Sequence, residues 1–213
     1  MVGNSGSGKT TLARALSTRL AAPHLELDSV FHQPGWEPLP TEQFRALVAG
    51  FTAADRWVID GNYSKVQDLI WQRADTVVWI DLPRRLVMWR LIWRTLRRAA
   101  LRAELWNGNR ETWRNLLHID PAKSIIAWSW TRHRSYRERY LRAAADPAYQ
   151  QLTFIRLRTP AEAARLLSQA GRAPGRADAG RSPAREAVDP RHLVRVEREP
   201  DDVEVGGDPP GIG

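Results

Sequence analysis

The sequence predicts an α/β fold in which a five-stranded, mostly parallel sheet lies between two layers of helices. Two observations predict it. Short apolar segments alternate along the chain with longer segments of helical periodicity, and a glycine-rich turn joins the first strand to the first helix. Strands that are separated by crossover helices pair in parallel, and a parallel sheet needs cover on both faces. Of the 213 residues, 43% are hydrophobic, which is sufficient for the core of one domain.

The predicted elements follow one another along residues 1–170. Only Met1 and Val2 precede the glycine-rich turn, against about five or six residues in a usual strand. We therefore expect the first strand to be truncated and the natural start to lie upstream. The other predicted strands are 24–27, 56–59, 76–80 and 152–157. The predicted helices are 9–21, 41–54, 86–100, 121–145 and 160–169.

Composition sets the boundaries of the folded part and its surroundings. Residues 171–213 are rich in Gly, Ala, Pro, Arg and Asp and lack apolar periodicity, which predicts a disordered tail. The chain has no cysteine, which excludes disulfides and cysteine-based zinc sites and favours a cytoplasmic location. The most apolar stretch, 82–101, is interrupted by arginines, so no membrane span is predicted.

The turn after the first strand has the spacing of a P-loop, with Gly3, Gly8, Lys9 and Thr10 at the four fixed positions. Glycines allow successive N–H groups to turn inward around a phosphate, at the positive end of the following helix. The lysine reaches the β and γ phosphates, and the threonine can hold Mg²⁺. We therefore predict a P-loop NTPase that binds ATP with Mg²⁺. The predicted nucleotide-binding residues are Gly3, Asn4, Ser5, Gly6, Ser7, Gly8, Lys9, Thr10 and Thr11.

A carboxylate is also needed at such a site, to organise Mg²⁺ or its water ligands. Asp28, Asp60 and Asp81 each follow a predicted strand, at the carboxyl edge where open α/β sheets bind ligands. Each of them could equally be a helix cap or a turn residue. Position along the chain does not rank the three.

These segments, in this order, resemble the adenylate kinase-like P-loop kinases, and within them a bacterial group of DNA topology modulation (FlaR-like) proteins. The resemblance covers residues 1–170 and includes the run Asp60-Gly61-Asn62-Tyr63. The matching segments are 3–11, 27–28, 34–36, 57–63, 81–83, 106–111 and 154–159.

The resemblance implies a kinase that moves the γ-phosphoryl group of ATP to a small acceptor, for which a nucleotide is one candidate. It implies that Asp60 binds Mg²⁺ together with Thr10, and that Asp28 faces the acceptor. Trp36 would stack on an acceptor base or sugar, or anchor its own loop. Adenylate kinases follow the Asp-Gly pair with an aromatic residue, Pro and Arg, whereas Asn62 and Tyr63 follow it here. A nucleoside monophosphate acceptor is therefore not implied.

Nine arginines lie between Arg84 and Arg114, and this concentration of charge predicts an anionic partner. In the kinase interpretation, residues 97–115 form a lid that closes over the phosphates. Arg110, in a Gly/Asn loop, is the first choice for a catalytic arginine. The further candidates are Arg98, Arg102, Arg114 and Arg134.

The alternative is a nucleotide-gated nucleic-acid-binding protein that affects DNA topology, with tryptophans among the arginines as stacking faces. Helical periodicity places Trp89 and Trp93 on the apolar side of their helix, and we therefore expect both in the core. The sequence also carries no recognisable nucleic-acid-binding motif. Both observations favour the kinase.

Overall fold

The computed structural model describes residues 1–101, 106–109 and 125–171, and within them it has five strands and seven α-helices. The strands are β1 (Val2–Gly3), β2 (His24–Glu26), β3 (Val58–Asp60), β4 (Thr76–Ile80) and β5 (Thr153–Leu157). The helices are α1 (Lys9–Leu20), α2 (Leu27–Phe31), α3 (Thr41–Phe51), α4 (Ser64–Arg73), α5 (Arg84–Ala100), α6 (Ile125–Ala145) and α7 (Pro160–Gln169). Short 3-10 turns cover Pro34–Trp36, Trp106–Gly108 and Pro147–Tyr149.

All of the strand pairs in these ranges are parallel, which confirms the α/β class. The pairs form a three-stranded sheet in the order β1-β4-β5 and a two-stranded sheet, β2-β3. Met1 links the two sheets. Its amino group donates to the carbonyl of Ile59, and its own carbonyl accepts from the N–H of Gly61 at 3.2 Å. Met1 thus bonds to the two residues that flank Asp60, which is the hydrogen-bond pattern of parallel strands, and β1 therefore lies beside β3.

Helices cover both faces of β4, because alternate residues of a strand point to opposite faces. Val78 and Ile80 belong to a cluster with Leu12 and Leu16 of α1 and Leu166 of α7. Val77 and Trp79 belong to another cluster, whose helical members are Trp71 of α4 and Tyr136 and Tyr140 of α6. Helices on both faces therefore hold the β1–β4 pair in place, at the point where the glycine-rich turn begins.

Helix α5 buries a different face from the predicted one. Val87 and Leu91 are buried, whereas Trp89 and Trp93 are 65% and 62% exposed, so the prediction that the two tryptophans lie in the core is wrong. The reason is the close approach of Gly6. A Cβ atom at Gly6 would lie 2.8 Å from the carbonyl oxygen of Val87 and 2.9 Å from the Cβ of Leu91. Indole rings have no room on that face.

Two helices were not predicted, and two predictions concern residues outside the described ranges. Asp28 lies in the short helix α2, and α4 begins directly after Tyr63. Residues 121–124 and the tail beyond Gly171 are outside the described ranges. Among the described helices, none combines the length and the apolar character needed to cross a membrane.

Candidate functional site

The glycine-rich turn leaves β1 at Gly3 and enters α1 at Lys9. Gly3, Gly6 and Gly8 all have positive φ angles, of 143°, 81° and 95°. At Gly3 a Cβ atom would lie 2.6 Å from the carbonyl oxygen of Ile80, whereas at Gly8 it would meet nothing within 4 Å. The loop is thus packed on its inner side at the first glycines and open at the last one, where helix α1 begins.

Polar residues of the loop tie it to itself and to helix α6. Asn4 is buried; its side-chain amide donates to the carbonyl of Ser129 at 2.9 Å and accepts from the N–H of Ser5 at 2.9 Å. The N–H of Ser7 donates to the carbonyl of Asn4 at 3.2 Å. Ser7 Oγ is buried and has no hydrogen-bond partner among the described residues, and Thr11 is exposed. Asn4 therefore supports the loop from within.

The ammonium group of Lys9 folds back over the loop, where Nζ donates to the carbonyl of Asn4 at 3.2 Å. Burial lowers the pKa of Lys9 below its ordinary value, and the positive charge of Arg94 acts in the same direction. Asp28, Asp60 and Glu26 act in the opposite direction and raise the pKa. The charges of three carboxylates and one guanidinium group therefore act on Lys9.

Thr10 and Asp60 lie in direct contact, since Thr10 Oγ1 donates to Asp60 Oδ2 at 2.7 Å. The other carboxylate oxygen of Asp60 bonds to His24 Nε2 at 2.7 Å, and only 2% of Asp60 is exposed. Burial alone would raise the pKa of Asp60. The hydrogen bonds from His24 and Thr10 and the charge of Lys9 outweigh burial and lower this pKa, so Asp60 stays ionised.

The oxygen atoms around Thr10 suit Mg²⁺. Glu26 Oε1 lies 3.2 Å from Thr10 Oγ1, on the same hydroxyl that contacts Asp60. Mg²⁺ prefers oxygen ligands and commonly takes one or two from the protein, with water and substrate phosphates as the others. Within the described residues, no group of three His, Cys, Asp or Glu side chains is arranged to hold a metal by itself. Thr10 and Asp60 therefore fit a metal that arrives with phosphates.

The three strand-end carboxylates have different surroundings. Asp81 is paired with Arg156, whose Nε donates to it at 2.9 Å, and the guanidinium of Arg137 lies 3.7 Å away. Asp60 faces Thr10, as described above. Asp28 lies near Lys9 and accepts a hydrogen bond from the hydroxyl of Tyr63 at 2.6 Å. Asp81 is thus occupied by arginines, and the other two face the loop lysine.

The side chains of Tyr63 and His32 connect Asp28 to Trp36 through a series of contacts. The hydroxyl of Tyr63 also lies 3.3 Å from Nε2 of the buried His32, whose ring contacts that of Trp36 edge to face at 5.3 Å. Burial lowers the pKa of His32, although Asp28 acts in the opposite direction. Because the Tyr63 proton points to Asp28, the Tyr63 oxygen can accept a hydrogen bond from Nε2 of His32, and the lowered pKa favours the neutral form of this imidazole. Tyr63 and His32 were not singled out from the sequence.

The segment Trp106–Gly108 and the following Asn109 dock on the loop that carries Trp36. Asn109 Oδ1 accepts from the N–H of Trp36 at 3.0 Å, and its Nδ2 donates to the carbonyl of Gln33 at 2.9 Å. Asn107 donates to the carbonyls of Ser29, at 3.2 Å, and His32. The ring of Trp106 stacks on His32 with 6.1 Å between centroids. This part of the predicted lid is therefore bound to the proposed acceptor side.

The predicted arginines have different positions. Arg98 lies on α5 beside the exposed tryptophans, whereas Arg134 is 89% exposed and donates to Glu138 one turn along α6. Arg102, Arg110 and Arg114 lie outside the described residues. Sequence reasoning missed Arg94, whose charge bears on Lys9. No sequence signal separates Arg94 from its neighbours, because its place near the loop follows from the packing of Leu91 on Gly6.

An open groove along α5 adjoins this site and has a volume of about 490 Å³. Tryptophan and arginine side chains supply most of its walls. The indole rings of Trp89 and Trp93 are nearly parallel, with 6.1 Å between centroids and 13° between planes. Among the described residues, the lining consists of Trp89, Arg90, Trp93, Arg94, Arg97, Arg98 and Leu101. Because Arg94 belongs to the groove and also affects Lys9, the groove and the phosphate loop are neighbours.

Of the three comparisons with known proteins, one finds a similarity, and it is to solved structures. No family model matches the chain, and no curated protein matches it. Among solved structures, the chain is similar to a gluconokinase from Sinorhizobium meliloti 1021 at 16% sequence identity and a TM-score of 0.41, over 80% of this chain and 85% of that chain. A TM-score this low carries no functional weight. The function is therefore inferred from the site itself.

Proposed function

We propose that this chain is an ATP-dependent P-loop kinase that transfers the γ-phosphoryl group to a small acceptor with the help of Mg²⁺. The observation that carries the proposal is the convergence of Lys9, Thr10 and Asp60 beside a loop of three glycines with positive φ angles. The Met1 hydrogen bonds support a single five-stranded, three-layer P-loop NTPase sheet. The same proposal includes an adenylate kinase-like subtype that resembles the topology modulation proteins, and a cytoplasmic location.

On the donor side, the loop amides and Lys9 bind the phosphates of ATP. Arg94, close to Lys9, adds positive charge where negative charge develops during transfer. Thr10 and Asp60 would hold Mg²⁺, which would neutralise phosphate charge. The α5 groove takes the base of the donor, since it adjoins the loop and offers indole faces.

On the acceptor side, Asp28 takes the proton of the acceptor hydroxyl. The hydroxyl oxygen attacks the γ-phosphorus, the bond to the bridging oxygen breaks, and ADP leaves with that electron pair. Tyr63 orients the Asp28 carboxylate through its 2.6 Å hydrogen bond. Trp36, held by Asn109, forms a wall of the acceptor pocket.

Asp28→Asn is expected to lower kcat about 10²-fold, because the amide cannot take the acceptor proton. The rate is measured as ADP release with the acceptor that gives the highest rate in a screen. MgADP affinity, measured by calorimetry, should stay unchanged because the donor side is intact. Asp75→Asn, at an exposed aspartate outside the site, is the matched control. Unchanged kcat in Asp28→Asn would remove Asp28 from the mechanism.

The exposure of Trp89 and Trp93 favours a second candidate, a nucleotide-gated nucleic-acid-binding protein that affects DNA topology. Both rings were expected in the core but lie exposed beside Arg90, Arg97 and Arg98. Exposed indoles among arginines are the arrangement that binds single strands, through base stacking and phosphate contacts. In this candidate the groove takes a polynucleotide in place of the donor base.

Trp89→Ala combined with Trp93→Ala is expected, under this second candidate, to weaken binding of a single-stranded oligonucleotide at least about tenfold. The salt slope of log K should stay the same in this variant, because the phosphate contacts remain, and should fall in Arg97→Ala. Trp130→Ala is the matched control, since Trp130 is half exposed on another helix. Salt-dependent binding that is equal in all variants would exclude the groove as the binding surface.

A further inference from the structure

The side chain of Asn62 binds both backbone groups of Gly3, the first glycine of the phosphate loop. Its Oδ1 accepts from the N–H of Gly3 at 3.1 Å, and its Nδ2 donates to the carbonyl of Gly3 at 2.6 Å. An N–H only donates and a carbonyl only accepts, so these two bonds determine the orientation of the amide. Asn62 is thus held in one rotamer and one flip state.

These bonds continue the ladder between β1 and β3 beyond its last backbone contact. Met1 bonds to Ile59 and Gly61. The next backbone groups of this chain segment that face β3 are those of Gly3, because alternate residues of a strand direct their N–H and C=O groups to opposite neighbours. A primary amide carries one acceptor and one donor side, as a peptide group does. The Asn62 amide therefore takes the place of a strand peptide at the point where the loop separates from the sheet.

Tyr140 supports this amide from α6. Its hydroxyl donates to Asn62 Oδ1 at 3.1 Å, and the residue is almost fully buried. Burial raises the pKa of Tyr140 above its ordinary value, so the phenol keeps its proton and remains a donor. Asn62 Oδ1 thus accepts two hydrogen bonds, one from the loop and one from a buried phenol.

The neighbours of Asn62 each contact a different part of the site. Asp60 accepts from Thr10, and Tyr63 donates to Asp28. Gly61 has a φ angle of 143°, and a Cβ there would lie 2.7 Å from that of Leu27. This geometry aims each side chain of the segment at a separate target, and the target of Asn62 is the loop.

We propose that Asn62 is a positioning residue for the donor phosphates, which rests on the proposed nucleotide-binding function. By fixing both backbone groups of Gly3, Asn62 sets the direction in which the loop leaves β1, and with it the aim of the loop amides. The backbone of Gly3 is itself closely packed, since a Cβ atom added there would lie 2.6 Å from the carbonyl oxygen of Ile80. A displacement of the Gly3 backbone would therefore also displace the loop amides that follow it.

The test is the affinity of the full chain for MgADP and for inorganic tripolyphosphate, measured by calorimetry. Asn62→Ala is expected to weaken both about tenfold, because the phosphates and not the base are misplaced. Tyr140→Phe removes a bond to the same Oδ1 but leaves both Gly3 bonds, so its loss of affinity should be smaller than that of Asn62→Ala. Gln150→Ala removes an exposed amide outside the site and is the matched control, so both of its affinities should equal those of the wild type. In ¹H–¹⁵N spectra, the amide shifts of Gly6 and Gly8 on MgADP addition should shrink in Asn62→Ala and persist in Gln150→Ala.

Asn62→Asp keeps the test decisive if the alanine variant does not fold. It preserves the shape but places an acceptor against the Gly3 carbonyl, so we expect the same loss of affinity at high salt, where its added charge is screened. Wild-type affinity for MgADP and tripolyphosphate in a folded Asn62 variant would overturn the role of Asn62 and leave the proposed function standing. A wild-type protein that binds neither ligand would overturn both.

Discussion

Lys9→Met is expected to lower kcat for phosphoryl transfer about 10⁴-fold, within the range that a single cationic group contributes in such reactions. The Lys9 ammonium lies over the loop, with Asp28, Asp60 and Glu26 around it. Without the Lys9 ammonium, the negative charges of these carboxylates repel the donor phosphates, and the positive charge of Arg94 offsets only part of this repulsion. The rate is followed as acceptor-stimulated ADP release.

We expect the Lys9→Met protein to fold, because burial of the charged Lys9 side chain opposes folding of the wild type. Burial lowers the pKa of Lys9 in the folded state below its ordinary 10.5, so the folded state holds this proton less tightly than the unfolded state does. The free energy of unfolding therefore rises as the pH increases from the pKa of Lys9 in the folded state to its pKa in the unfolded state. Below the folded-state pKa, Lys9 is charged in both states and the destabilisation is present in full. The neutral methionine removes this destabilisation, and thermal unfolding should show a variant at least as stable as the wild type.

Arg165→Ala, at an exposed residue of α7, is the charge control for Lys9→Met. Its kcat should equal that of the wild type. A Lys9→Met enzyme that retained a rate within about tenfold of the wild type would contradict the role of Lys9 in transfer.

Asp60→Asn is expected to lower kcat/KM about 10³-fold at low Mg²⁺ concentration. The substitution preserves shape but removes the negative charge that Thr10 and His24 stabilise. Part of the rate should return at high Mg²⁺, since weaker metal binding is the cause of the loss. A second readout is the affinity of the protein–ADP complex for Mn²⁺, followed by electron paramagnetic resonance, which should fall in parallel.

Asp68→Asn is the matched control for Asp60→Asn, because Asp68 is half exposed and paired with Arg45 on the surface. Its Mn²⁺ affinity and its rate should match those of the wild type. Equal Mn²⁺ affinity in Asp60→Asn and the wild type would show that Asp60 has no part in metal binding.

The phosphate loop could be predicted from the sequence because its chemistry is local. Four fixed positions within eight residues specify the turn, and Thr10 follows Lys9 directly. The choice among the strand-end carboxylates is not local. Asp81 is taken up by Arg156, which comes 75 residues later in the chain, and no sequence pattern announces such a pair.

The inward face of α5 could not be predicted, because this helix has two apolar stripes. One contains Trp89 and Trp93, and the other contains Val87 and Leu91. Hydrophobic periodicity alone favours the larger side chains. The close approach of Gly6, known only from tertiary structure, reserves that space for smaller groups.

The contacts of Asn107 and Asn109 were equally hidden from the sequence. An Asn-Gly-Asn run predicts a loop, and a short 3-10 turn covers Trp106–Gly108 in the structure. The partners of these amides are the backbone groups of Ser29, His32, Gln33 and Trp36. Any residue type supplies a backbone carbonyl, so such partners leave no trace in composition or spacing.

The central claim is that the chain transfers a phosphoryl group from ATP to a small acceptor. The most direct measurement is ADP formation by the full chain with MgATP, screened over nucleoside monophosphates and small hydroxylated metabolites. We predict that at least one acceptor stimulates ADP formation and that Lys9→Met abolishes the stimulation. MgATP binding without stimulation by any acceptor, together with salt-dependent oligonucleotide binding, would contradict the kinase and favour the nucleic-acid-binding function.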